Sequence, residues 1–200
     1  MGRYPHIIAF AGVAQSGKTT AANITKELVD RHNSNIHYTS LSQILSYAGP
    51  IRAALEAIGV HKEENPALYR EMAQYIGAKA REYDPDYWMN LMEKHITELN
   101  PNDFVIVDDV RYWNEVRQLE RMGAVLIYVN PGKRMKEEIK TNPLYEHESE
   151  KMAVEIFYRP NTVAVGFRAV VTNDQDIDKY RIEVERITNK FVRDLIPVYR

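Results

Sequence analysis

The run Ile7-Ile8-Ala9-Phe10-Ala11 leads straight into Gly12-Val13-Ala14-Gln15-Ser16-Gly17-Lys18-Thr19-Thr20, and then into a stretch with helical apolar spacing. A buried strand, a glycine-lysine loop and a helix in this order constrain the fold more than anything else in the chain. The loop reads Gly-x-x-x-x-Gly-Lys-Thr, the phosphate-binding loop or P-loop, in the strand-to-helix context it requires. Gly12 and Gly17 permit a tight turn that brings backbone N–H groups up to phosphate oxygens with no side chain in the way. Lys18 offers a point charge to the β- and γ-phosphates, and the Thr19 hydroxyl reaches a Mg²⁺ ion. The helix that starts here adds the positive end of its dipole. Gly12, Ala14, Gln15, Ser16, Gly17, Lys18, Thr19 and Thr20 are therefore the expected contacts of a nucleoside triphosphate.

Two hundred residues suit one domain with a sizeable core. Hydrophobic and charged fractions of 44% and 27% argue against disorder and against a membrane protein. No apolar run reaches spanning length and the N-terminus lacks a signal pattern, so a cytoplasmic protein with no membrane partner is expected. The absence of cysteine excludes disulfides and thiolate zinc sites. A formal charge of −2 argues against a dedicated nucleic-acid binder, although a local basic cleft remains compatible with it.

After the loop, Ala21, Ile24 and Leu28 predict a first helix from about Lys18 to about Arg31, with a turn at Asn33-Ser34-Asn35. Ile36-His37-Tyr38-Thr39 reads as a second strand. From Leu41 to about Lys94 the pattern is mostly helical. Pro50 opens one helix, closed by Gly59. Pro66 opens another, with Leu68, Met72, Tyr75 and Ile76 on one face and Gly77 near its end. Asp84-Pro85-Asp86 caps a third, carrying Tyr87, Trp88, Leu91 and Met92. Phe104 to Val107 is a strand buried on both faces, ending in Asp108-Asp109-Val110-Arg111, where an acidic partner for Mg²⁺ water belongs. A short helix closed by Gly123 and a strand from Ala124 to Val129 complete a βαβ unit. From Pro131 to Pro160 polarity rises, which fits either a solvated loop with helical turns or a mobile lid. Val163 to Val171 predicts a last strand, and Tyr180 to Phe191 a terminal helix.

The expected fold is α/β: a P-loop NTPase three-layer fold, with a mostly parallel sheet and helices on both faces. Its core is residues 1–40, 101–130 and 161–200, with a helical substrate-binding insertion at about 41–100 and a lid-like segment at about 131–160. The guanine-reading Asn-Lys-x-Asp of G proteins is missing, since Asn189-Lys190 is followed by Phe191. A compact core with a helical insertion and scattered arginines suits a small-molecule kinase, because phosphoryl transfer needs positioning and charge neutralisation above all.

Two segments carry a more specific likeness, Phe104-Val105-Ile106-Val107-Asp108-Asp109-Val110-Arg111-Tyr112-Trp113-Asn114-Glu115 and Gln74-Tyr75-Ile76-Gly77-Ala78-Lys79-Ala80-Arg81-Glu82-Tyr83-Asp84-Pro85-Asp86-Tyr87-Trp88. They resemble the deoxynucleoside monophosphate kinases of tailed bacteriophages. Ser46-Tyr47-Ala48-Gly49-Pro50-Ile51-Arg52 is similar to the family's Ala-x-Pro-Leu-Lys segment, and His147-Glu148-Ser149-Glu150 to its His-x-Ser-Glu. The loop departs from the many members that have Asp after the lysine, and Pro143 to Asn161 matches poorly.

The resemblance implies ATP (or dATP) and Mg²⁺ as cofactors, a deoxynucleoside 5′-monophosphate as substrate, and a monomer or homodimer without nucleic-acid partners, in the host cytoplasm if phage-encoded. It makes Lys18, Arg111 and Asp109 catalytic, and Thr19 and Asp109 the metal residues. Arg134 and Asn173 join the nucleotide contacts, with Lys133 a further lid candidate. Arg52, Arg70, Gln74, Arg81, Trp88, Arg111 and Glu115 form the acceptor set, Trp88 either stacking on the base or packing in the core. The rival readings are a kinase of another small phosphorylated metabolite and a nucleic-acid end kinase or ATPase.

Overall fold

A computed structural model describes residues 4–35, 40–159, 166–174 and 176–195. Strand β1 (His6–Ala11) runs through the P-loop into helix α1 (Lys18–Asn35), and strand β2 (Ser42–Leu45) follows. Helices α2 (Gly49–Ala57), α3 (Pro66–Tyr83) and α4 (Tyr87–Thr97) precede β3 (Phe104–Val110), α5 (Trp113–Arg121) and β4 (Val125–Asn130). Then come a 3₁₀ turn at Lys133–Met135, α6 (Lys136–Thr141), a second 3₁₀ turn at Pro143–Glu146, α7 (Glu148–Tyr158), β5 (Ala169–Thr172) and α8 (Ile177–Leu195).

The five strands among the described residues are all parallel, in the order β2-β3-β1-β4-β5. Period-two alternation sends each apolar strand into both faces, as the continuous apolar runs require. Ile7, Ala9, Val105, Val107, Leu126 and Tyr128 pack toward α2, α4, α5 and α7. Ile8, Phe10, Phe104, Ile106, Ile127 and Val129 pack toward α1 and α8. The chain leaves β1 between two neighbours reached by opposite crossovers, so a crevice opens at its carboxyl end. The P-loop fills that crevice. This is the three-layer P-loop fold expected from the sequence.

Several local readings differ. The strand expected at 36–39 lies outside the described residues, and β2 instead sits at Ser42–Leu45, inside the stretch that reads as helical. It is a half-buried edge strand with two polar residues, too short to show a strand period. Helix α1 runs through Asn33-Ser34, because Ser34 Oγ turns back to the Asp30 carbonyl at 2.9 Å and Asn33 Nδ2 reaches the Ser40 hydroxyl at 2.8 Å. On α3 the packed face is Tyr69, Met72, Ala73, Ile76 and Ala80, while Leu68 and Tyr75 are exposed. Asp86 makes no capping bond; Asp84 Oδ1 accepts the Asp86 N–H at 2.9 Å. Strand β5 begins at Ala169, and the earlier part of the expected strand, 163–165, is outside the described residues. The polar stretch after β4 is mostly helical. Its α7 buries Met152, Ala153 and Ile156 in the core, and Tyr128 Oη donates to the Ala153 carbonyl at 2.8 Å. No helix among the described residues is long and apolar enough to cross a membrane.

Candidate active site at the P-loop

The loop is shaped by its neighbours as well as by its task. Gln15 (φ 62°) and Gly17 (φ 102°) take left-handed backbone conformations, which curl successive N–H groups inward into an anion nest. A Cβ on Gly12 would stand 2.5 Å from the Val129 carbonyl oxygen, and one on Gly17 would stand 2.6 Å from Asn173 Nδ2. Gly12 is thus demanded by close packing against the backbone at the end of β4, and Gly17 by its left-handed backbone conformation. Asn173 Nδ2 donates to the Ser16 carbonyl at 2.9 Å and Tyr180 Oη to the Gly17 carbonyl at 3.0 Å. Asn173, expected at the nucleotide, buttresses the loop from behind. Gln15, Thr19 and Thr20 are exposed at the crevice.

Lys18 Nζ donates to the carbonyls of Gly12 (2.8 Å) and Val13 (2.7 Å) and is nearly buried. Burial first, then the charge of Arg111, pushes its ammonium down to about 7, against the pull of Glu150, Asp109 and Asp108.

The two carboxylates at the end of β3 do different work. Between the pairs Ala9–Val107 and Ala11–Val110 the β3 side carries one extra residue, which re-aims its side chains. Asp108 Oδ2 accepts the Thr19 hydroxyl at 3.1 Å, and its Oδ1 accepts the Ser46 hydroxyl. Asp109 is taken up by the backbone that follows Ser46. Its oxygens accept the N–H groups of Tyr47 (2.8 Å) and Ala48 (3.0 Å), and Arg52 Nη2 lies 3.5 Å away. Burial and then Asp108 raise the Asp109 carboxyl, with the Ala48 N–H and the two arginines opposing. The residue beside Thr19 is therefore Asp108, where the sequence pointed to Asp109. Arg52 serves as a half-exposed partner of Asp109 and Ser46.

Helix α3 presents Arg70, Gln74, Gly77 and Arg81 along one stripe, at three- and four-residue spacing. Gly77 lies mid-helix, not near its end, and its carbonyl accepts from both Arg81 Nη1 and Trp88 Nε1, each at 3.1 Å. Trp88 is only 7% exposed and packs edge-on to Tyr87. It is a core residue here, with its one polar atom satisfied internally, rather than a surface for a base. The Arg81 guanidinium lies 4.2 Å over the Tyr112 ring, and its Nη2 is 3.5 Å from Glu115 Oε1. Glu115, also buried, accepts the N–H groups of Arg111 (2.7 Å) and Tyr112 (3.1 Å) through Oε2. It anchors the two arginine segments and has no exposed face of its own. Arg70 and Gln74 line an open cleft of about 510 Å³, walled opposite by Asn142, Leu144 and His147.

Arg111 Nη1 pairs with Glu150 Oε1, and Glu150 Oε2 accepts the Ala14 N–H of the P-loop at 2.6 Å. Tyr145 Oη approaches the Ala14 carbonyl at 3.4 Å. Lys133 is exposed, and the side chain of Arg134 is outside the described set. Sequence reasoning did not single out Ser46, Tyr180 or Glu150 as site residues, although Glu150 stands in the segment that carries the family likeness, and at the end of β3 it chose Asp109 over its neighbour Asp108. For Glu150 the signal was available, since Glu150, Ala153 and Ile156 fall at helical spacing on one face of α7.

Glu115 gives a pH-dependent prediction. Burial raises its carboxyl from 4.5 to about 7, with Asp109 adding and the Arg111 and Tyr112 N–H groups and Arg81 opposing. Between those values the folded protein holds a proton that the unfolded chain has lost, so stability falls as pH rises through this window. The cost reaches about 3 kcal/mol once Glu115 is ionised. Denaturant unfolding at pH 5 and pH 8 should show this decline in the wild type and a flatter profile in Glu115→Gln. Parallel profiles would contradict it.

Residues 54–151 match the family model of deoxynucleotide monophosphate kinase. The resemblance to these kinases holds. No curated protein matches the chain by sequence. Among solved structures it is similar to shikimate kinase from Acinetobacter baumannii in complex with shikimate, at 13% identity and a TM-score of 0.47 over 97% of this chain and 96% of that one. It is also similar to Chaetomium thermophilum Kti12 in complex with ADP-AlF3 (18% identity, TM-score 0.46, 92% and 97% covered). A third is the Mycobacterium tuberculosis APS kinase in complex with AMPPNP and APS (14% identity, TM-score 0.44, 93% and 98% covered). The family match and the P-loop core support a phosphotransferase that binds nucleotide.

Proposed function

We propose that this protein moves the γ-phosphoryl group of ATP, or dATP, to the 5′-phosphate of a deoxynucleoside monophosphate. The observation that carries the reading is the Ala14–Glu150–Arg111 connection: one carboxylate width separates the phosphate loop from an arginine at the end of β3. Transfer needs donor and acceptor phosphates to meet in line, and this junction is where they would meet. An acceptor phosphate oxygen attacks the γ-phosphorus, the bond to the β–γ bridging oxygen breaks, and ADP leaves with the electron pair. Lys18 and the loop N–H groups hold the donor phosphates, and Arg111 neutralises charge on the transferring group. Arg81 holds the acceptor phosphate, and the Arg70–Gln74 cleft is the place for its nucleoside.

The chemistry of the donor set fits Mg²⁺. Thr19 Oγ1 and the Asp108 carboxylate, already 3.1 Å apart, are the hard oxygen groups this ion selects. Held there, Mg²⁺ would supply charge neutralisation at the β- and γ-phosphates.

A coupled ADP-release assay across the deoxy- and ribonucleoside monophosphates tests the function. ADP release should depend on a monophosphate acceptor and favour the deoxy series. Release driven by DNA or RNA, with no response to monophosphates, would refute it. In the same assay Arg81→Ala should raise the acceptor KM about tenfold or more while kcat changes little, because a charged hydrogen bond is lost from ground and transition states alike. An unchanged KM would remove Arg81 from the acceptor site.

A further inference from the structure

The His147-Glu148-Ser149-Glu150 segment has a physical construction that nucleotide binding alone leaves unexplained. His147 is the N-cap of α7: its Nδ1 accepts the Ser149 N–H at 3.2 Å and lies 2.9 Å from the Ser149 hydroxyl. The helix is then fixed in the core by Met152, Ala153 and Ile156. Glu150 projects from the first turn of this helix, its side chain 3% exposed. Its two oxygens are divided between Ala14 N–H and Arg111 Nη1. Arg111 itself is 30% exposed and is held at its backbone N–H by Glu115. A guanidinium has five N–H donors, and among the described residues Glu150 engages one nitrogen, so further donors remain for a ligand.

We infer that Glu150 is a positioning residue that fixes Arg111 beside the P-loop in the orientation phosphoryl transfer requires. The inference rests on the kinase reading above. It explains why a buried carboxylate is placed against a phosphate-binding loop, where an anion would otherwise oppose the ligand. Glu150 spans two donors that must keep a fixed separation, and it acts through Arg111 without touching substrate.

Glu150→Gln keeps the size of the side chain but leaves one acceptor oxygen for two donors. It should lower kcat roughly 10- to 100-fold, less than the roughly 100- to 1,000-fold lost when a preorganised donor is itself removed, because Arg111 stays and only its placement suffers. The acceptor KM and the dissociation constant of a non-hydrolysable ATP analogue, measured by titration calorimetry, should each stay within about threefold. In an Arg111→Ala background the same change should cost less than about threefold further, since residues acting as a unit are non-additive.

Losses that multiply in the double variant, or an unchanged kcat in E150Q, would overturn the inference. So would analogue binding tightened about tenfold, which would make Glu150 an occupant of the phosphate site that ligand displaces. If thermal melting shows E150Q unfolded, Glu150→Asp, which retains the charge but withdraws it by one methylene, carries the same cycle. Failure of the kinase reading shows separately, as a wild-type protein that releases no ADP with any monophosphate, and takes this inference with it.

Discussion

Lys18→Ala is expected to lower kcat/KM for phosphoryl transfer by at least several hundred-fold and to leave the fold intact. The magnitude is that of removing a preorganised charge from a developing phosphoryl oxyanion in a water-poor site. Two features protect the fold. The loop is held from behind by Asn173 and Tyr180, and its turn is fixed by close packing at Gly12 and the left-handed backbone of Gly17. Lys18 gives two of its three donors to the Gly12 and Val13 carbonyls, and burial already lowers the pKa of its ammonium. Loss of the ammonium therefore removes a group that is most useful when polyphosphate is present. Steady-state kinetics with a thermal melt check both halves. Near-normal turnover would take the P-loop out of the mechanism.

Arg111→Ala is expected to act on the chemical step instead, lowering kcat about 100-fold with a small change in acceptor KM. Its contact strengthens as negative charge spreads over the transferring group, whereas that of Arg81 is made equally before and during transfer. The substitution also strands Glu150, a buried carboxylate, so a lower melting temperature should accompany it. Equal effects of the two arginines on kcat and KM would mean that neither is specialised as assigned.

What the sequence disclosed follows from how far each signal reaches along the chain. The P-loop was legible because strand, glycines, lysine and helix are contiguous. Strands β3 and β4 were legible because burial on both faces leaves unbroken apolar runs. β2 was not, since an edge strand of four residues carries no period. Asp108 and Asp109 are adjacent in sequence, and only the extra residue in β3 against β1 decides which one meets Thr19. Trp88 could stack or pack. The Gly77 carbonyl, eleven residues earlier, supplied its partner in the core. The stretch after β4 could be read as a solvated loop with helical turns or as a lid because its exposed residues are charged, and the narrow apolar stripe of α7 that packs in the core is a weak signal beside them. Long-range pairs such as Ala14–Glu150 and Arg81–Glu115 have no signature in a single sequence.

Transfer of label from γ-³²P ATP to a deoxynucleoside monophosphate, with products separated by chromatography, reads the proposed phosphoryl transfer itself. Label is expected in the deoxynucleoside diphosphate, with little in inorganic phosphate and no labelled diphosphate with Lys18→Ala. Label that appears only as inorganic phosphate, at the same rate with and without monophosphate, would contradict it.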